Sequence, residues 1–134
     1  EMPFSVIAPS KRWIFGNCEV SAEGEKWLGK LPGPYTLIYR LKKESSVVAA
    51  VNLGSKTLGV RMPKHWIADV AAELGFPVVS TSANITGEPY MTSTDDLDED
   101  IRQKVDFIIY EGEKQGRPST IIKLIEKEAE VVER

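Results

Sequence analysis

The chain has 134 residues, 42% of them hydrophobic and 28% charged, with a formal net charge of -3 at pH 7. That length fits one domain large enough to bury a core. The composition is that of a globular protein rather than a disordered or membrane-spanning one, and the charge balance lacks the basic excess of a duplex-binding one. No run reaches the roughly 18 apolar residues of a membrane span, and no basic-then-apolar leader opens the chain, so a cytoplasmic location is expected.

Pro3 to Pro9 is a short apolar run bounded by prolines and predicts a buried strand. Glu1 precedes Met2, and nothing upstream supplies an opening strand and turn, so the domain over 1–134 is expected to lack its N-terminal portion. Ser21 is a candidate N-cap for a helix carrying Glu23 and Glu25 in its first turn and Trp27, Leu28 and Leu31 on one face. Gly24 stands where a capping box places Glu or Gln, and Pro32-Gly33-Pro34 is expected to end the helix. Tyr35 to Leu41 predicts a strand, Ser46 to Val51 a second and Thr57 to Met62 a third, the last two paired antiparallel about a turn at Leu53-Gly54-Ser55. Pro63 opens a helix whose apolar face runs through Trp66, Ile67, Val70, Ala71 and Leu74 to Gly75. Pro77 to Ser80 predicts a strand entering the polar turn from Thr81 to Pro89. A helix over Ser93 to Val105, with an acidic first turn, and strands at Asp106 to Tyr110 and Ser119 to Leu124 complete the pattern.

A strand running into small hydroxyl and amide residues presents donors for phosphate or carboxylate oxygens, which fits Thr81, Ser82 and Asn84; on spacing alone an ordinary turn that bonds its own backbone is the simpler reading. Arg61 is the cation best suited to an anionic ligand, through its rigid fork of donors. Ser119 and Thr120 form a second hydroxyl pair at a strand end. His65, the only histidine, has no cysteine at metal spacing and reads as structural. Cys18, the only cysteine, reads as an inert thiol, and Trp13, Trp27 and Trp66 read as core. Lys42, Lys43, Lys56, Arg61 and Lys64 form either a local basic face for RNA or a scattered solvated surface. Asp95, Asp96, Asp98 and Asp100 are simpler as a solvated helix start than as magnesium ligands. No glycine-rich dinucleotide loop, Walker loop or nucleophile elbow occurs.

Leu31-Pro32-Gly33-Pro34-Tyr35-Thr36-Leu37, Gly59-Val60-Arg61-Met62-Pro63, Ser80 to Pro89 and Pro118-Ser119-Thr120-Ile121-Ile122 together resemble the ordered motifs of the YrdC-like threonylcarbamoyl-AMP synthases. The resemblance implies an α/β fold, a twisted mixed β-sheet flanked by helices. It also implies a nucleotidyltransferase that joins L-threonine, bicarbonate and ATP into threonylcarbamoyl-AMP with release of pyrophosphate, assisted by Mg2+. The adenylate would serve N6-threonylcarbamoyladenosine formation in tRNA, with transfer by partner proteins and with double-stranded RNA as a further contact. By the same resemblance Ser82 and Asn84 are the catalytic pair, holding phosphates and carbamate. Arg61 and Thr81 would face threonine or phosphate, Thr120 would lie near the amino acid, and Arg134 near the nucleotide. The family's Lys-x-Arg element has no counterpart in these residues, Tyr90 stands where a small hydroxyl residue often occurs, and Lys64 replaces a frequent acid. The alternatives are a non-catalytic RNA- or protein-binding module of this fold and the carbamoyl-adenylate domain of hydrogenase maturation.

Overall fold

A computed structural model describes residues 3–133. It forms two compact units, one of residues 1–80 with 119–134 and the other of residues 81–118. The first unit carries β1 (Ser5–Ile7), α1 (Lys11–Asn17), β2 (Cys18–Glu19), α2 (Ala22–Leu28), β3 (Tyr35–Leu41), α3 (Ala49–Asn52), β4 (Thr57–Arg61), α4 (Trp66–Leu74), β5 (Val78–Ser80), β6 (Thr120–Lys123) and β7 (Glu130–Val132). Within the second lies α5 (Glu99–Lys104).

The strands join in one sheet in the order β5-β1-β4-β3-β6-β7, with β2 also on β3. β1 with β4 and β3 with β6 are parallel, and the remaining pairs are antiparallel, so the sheet is mixed as expected. Alternation along the strands sends Val6, Leu37, Tyr39, Leu58, Val60 and Ile122 to one face. They are buried there with Ile14 of α1 and Leu28 of α2.

Ser10 caps α1, a helix the sequence reading did not include, by accepting from the Trp13 amide at 3.0 Å. Ser21 caps α2 through the Gly24 amide at 3.0 Å. Gly24 interrupts the capping box for a packing reason: the Tyr39 hydroxyl donates to its carbonyl at 2.7 Å, and a Cβ there would stand 2.9 Å from Tyr39 Cε1. α2 closes at Leu28 with Gly29 as its cap, before the proline run, while Leu31 still reaches the core.

Several expectations are corrected. Ser46 to Val51 is no strand: Glu44–Ser46 forms a 3-10 turn and α3 follows. The buried Asn52 amide closes the chain back toward β4, donating to the Ser55 carbonyl at 2.7 Å and the Thr57 carbonyl at 3.1 Å. β4 pairs instead with β1 and β3. The segment after Ser93 is two short elements, because Ser93 caps the turn Thr94–Asp96 and Asp98 caps α5 anew. Asp106 to Tyr110 joins no strand, since its β-forming side chains meet no ladder among the described residues and stay exposed. α4 begins at Trp66 rather than Pro63, with His65 as N-cap and Gly75 as a left-handed C-cap. Trp66 is exposed, not core, while Trp13 and Trp27 pack against the core.

The Tyr39 contact reverses the usual effect of alanine in a helix. Gly24→Ala should lower the unfolding free energy in urea titration by about 1 to 3 kcal/mol through overpacking, where an unobstructed helix site would gain roughly 1 kcal/mol. A gain would overturn the claim that the Tyr39 ring occupies this space.

Candidate functional site

The face of the sheet opposite the core is built by the same alternation. Gly59 and Arg61 of β4, Ser5 of β1, Ser80 of β5 and Thr36 of β3 all lie on it, because paired Cα positions share a side. Arg61 Nη1 donates to Ser80 Oγ at 2.8 Å, and Ser5 Oγ donates to the Ser80 carbonyl at 3.1 Å. Thr36 Oγ1 and Ser119 Oγ, both buried, share a hydrogen bond of 2.6 Å. Gly59 lies between these groups because a Cβ there would press on Thr36 Cγ2 at 3.2 Å and Ser5 Cβ at 3.3 Å. The result is an oriented guanidinium on a floor of hydroxyls, a setting suited to a carboxylate or phosphate.

The hydroxyl pair at the head of β6 divides between the two faces. Thr120 pairs with Tyr35 and shares the parity of Ile122, which puts its side chain on the core side. Ser119, one residue earlier, is the member on the Arg61 side, whereas the resemblance points to Thr120. The buried Ile122 and Leu124 carry the signal, since their parity leaves Ser119 on the opposite face. Arg134 lies outside the described residues.

Thr81, Ser82 and Asn84 belong to the second unit. Thr81 and Ser82 are exposed at the start of the turn, and Asn84 is half-buried. Asn84 Nδ2 donates to the carbonyls of Ile85 at 3.1 Å and Glu88 at 2.9 Å. Both partners are acceptors, which fixes the amide orientation and leaves Oδ1 shut from solvent with no hydrogen-bond donor among the described residues. The turn therefore holds its own shape and also retains an unused buried acceptor.

The remaining candidates have structural duties. His65 Nδ1 accepts from the Ile67 amide at 3.2 Å, as a helix cap. Burial pushes the Cys18 thiol up to about 11, with Lys42 partly opposing the shift. Lys42 Nζ donates to the Phe15 carbonyl at 2.6 Å and Lys56 lies 3.9 Å from Glu44, each engaged locally. Asp96 accepts from the Thr92 hydroxyl and amide, which lower its pKa, and Asp98 caps α5. Among the described residues no three His, Cys, Asp or Glu side chains stand together as a metal cage.

The whole chain, residues 1–134, matches the sequence model of the Sua5/YciO/YrdC family, which carries the description "Telomere recombination". A Methanocaldococcus jannaschii protein is 35% identical over 125 residues, which are 91% of this chain and 57% of that protein. A Pyrococcus abyssi protein named threonylcarbamoyl-AMP synthase is 42% identical over 97 residues, 71% of this chain and 28% of its own. The solved structure of Pyrococcus abyssi Sua5 complexed with L-threonine is 33% identical with a TM-score of 0.81, covering 97% of this chain and 39% of that one. The chain thus spans about half or less of the length of these relatives.

Two measurements check the local assignments. At pH 8 Cys18 in the native protein should react with Ellman's reagent on the order of 100-fold more slowly than in urea, because little thiolate forms; equal rates would refute its burial. Asn84→Asp removes both amide donors at constant size, so the Glu88 amide should exchange with solvent about fivefold to tenfold faster. Unchanged exchange at Glu88 would show that the amide does not hold the turn.

Proposed function

This chain belongs to the Sua5/YciO/YrdC family, and from that membership we propose that its protein is a threonylcarbamoyl-AMP synthase. L-threonine, bicarbonate and ATP would give threonylcarbamoyl-AMP, pyrophosphate and water. The observation that carries this reading is the Arg61 guanidinium, held by Ser80 at 2.8 Å on a hydroxyl-rich sheet face, in a fold shared with a structure that holds L-threonine. Its chemistry matches what the reaction needs.

Arg61 would pair the threonine carboxylate through its fork, with Ser119 beside it and Thr81 contributing a hydroxyl. Ser82 and Asn84 would hold the nucleotide phosphates and the carbamate, and Arg134 would lie near the nucleotide. An oxygen of the threonine carbamate attacks the α-phosphorus of ATP, the bond from that phosphorus to the bridging oxygen breaks, and pyrophosphate departs. The protein supplies no covalent nucleophile; oriented donors hold the anions together and stabilise the charge that shifts onto the leaving phosphates. Mg2+ would arrive with those phosphates, since it commonly keeps waters and phosphate oxygens as ligands.

The adenylate would then pass to tRNA-modifying transferase proteins for N6-threonylcarbamoyladenosine synthesis, in the cytoplasm. No helix among the described residues is long and apolar enough to cross a membrane. RNA contact by this domain is a secondary part of the same reading.

The test is pyrophosphate release from ATP by the full-length protein, with threonine and bicarbonate each present or omitted. Release is expected only when both are present, and Ser82→Ala and Asn84→Ala should each cut it by at least about tenfold with the melting temperature nearly unchanged. Silence from folded wild-type protein would favour a non-catalytic RNA- or protein-binding module. Threonine-independent release would favour the carbamoyl-adenylate chemistry of hydrogenase maturation, and full activity in both variants would remove Ser82 and Asn84 from the site.

A further inference from the structure

We infer that the free edge of β5 receives one more strand, supplied by the part of the same polypeptide that lies outside these 134 residues. β5 ends the sheet, with β1 on one side and no strand on the other among the described residues. Which of its backbone groups face outward follows from β1. The Ala8 amide donates to the Arg61 carbonyl at 2.9 Å, so the alternate residues Val6 and Ala8 turn their backbone groups toward β4. Ser5 and Ile7 then turn theirs toward β5, opposite Ser80 and Val78. Val79, opposite Val6, is left with its amide and carbonyl directed at the free edge.

The side chains agree with the backbone. Cross-strand partners share a face, so Val79 stands on the core side with Val6. Val6 is 1% exposed and Val79 50%, so the core side loses its cover at this edge, and Phe76, just before the strand, is 56% exposed. Edges that stay open are normally guarded by charge. β7, at the other end of the sheet, has Glu130 within it and Glu133 after it, whereas no charged residue occurs from Leu74 to Gly87. Only Pro77, ahead of the strand, blunts the β5 edge. A second copy fits poorly, because an edge of this length spans about 10 Å and buries far less than the roughly 1,200 Å² of a stable interface. A segment of the same chain escapes that requirement, since its effective concentration is set by the linker. The Methanocaldococcus jannaschii relative has the length for it, its matched residues being 57% of that protein. Facing Val79, the added strand would carry an apolar β-branched or aromatic residue.

Nuclear magnetic resonance of the isotope-labelled full-length protein tests this. The Val79 amide should exchange with solvent at least about 100-fold more slowly than an unstructured amide. Its cross-strand Overhauser contacts on the side away from β1 should go to a residue outside these 134. Val79→Thr keeps the shape and adds a hydroxyl, so at a covered edge it should lower the melting temperature by about 3 to 8 °C. At an open edge the shift would stay under about 1 °C. A freely exchanging Val79 amide beside a protected Val78 amide would overturn the inference. So would cross-strand contacts on that side to another of these residues, contacts to a second copy in a mixed-label sample, or an unmoved melting temperature in Val79→Thr.

Discussion

Leu58 and Val60 can enter the core only if Thr57, Gly59 and Arg61 face the other way, because successive side chains of a strand alternate. β4 sits between β1 and β3, so this parity is locked on both sides, by parallel pairing with Val6 and antiparallel pairing with Leu37 and Tyr39. A slip of one residue would bring the Arg61 guanidinium among apolar side chains and expel Val60, at a desolvation cost no local bond offsets. The placement of the candidate site is therefore a consequence of core packing. Whatever stabilises the apolar side of the sheet also aims the cation on the other side.

The two faces are kept apart by different devices. On the core side, Tyr39 fills the space left by Gly24 and satisfies that residue's carbonyl with its hydroxyl, so one aromatic side chain both packs against and hydrogen-bonds α2. A buried phenol without an acceptor would cost free energy, and here the acceptor is a helix carbonyl. On the opposite side, Thr36 and Ser119 satisfy each other while buried, and Arg61 is oriented by Ser80. Gly59 completes the arrangement by adding no bulk between them.

The sequence was most legible where periodicity and chain termination agree. Tyr35 to Leu41 is a strand at the bounds its aromatic and β-branched run suggests, and α4 ends at the glycine expected to close it. Legibility failed where local capping chemistry outcompetes a longer pattern. The acids after Ser93 look like one helix start, yet Asp98 caps a second helix, because its carboxylate serves the amides of Asp100 and Ile101. Phe107 to Tyr110 has strand-forming residues, but ladder formation needs a neighbour that composition cannot supply. At the candidate site, the periodicity of Leu58 and Val60 already separates Arg61 from the core side, and the pairing of β4 sets it on the hydroxyl-bearing face. The choice between Ser119 and Thr120 turned on a face assignment that only the register with β3 makes certain.

The same polar face also governs the junctions of the second unit. The chain leaves the sheet at Ser80 and returns at Ser119, the two residues that border residues 81–118. Ser80 is held by the Arg61 guanidinium at its hydroxyl and by Ser5 at its carbonyl, and Ser119 by Thr36. Immediately after Ser119, the Thr120 amide donates to the Pro34 carbonyl at 3.0 Å, fixing the entry into β6. Each junction is thus anchored by a side-chain hydrogen bond from the interior of the sheet. The strand end at Ser80 is therefore held by the same guanidinium whose side of the sheet the register of β4 decides.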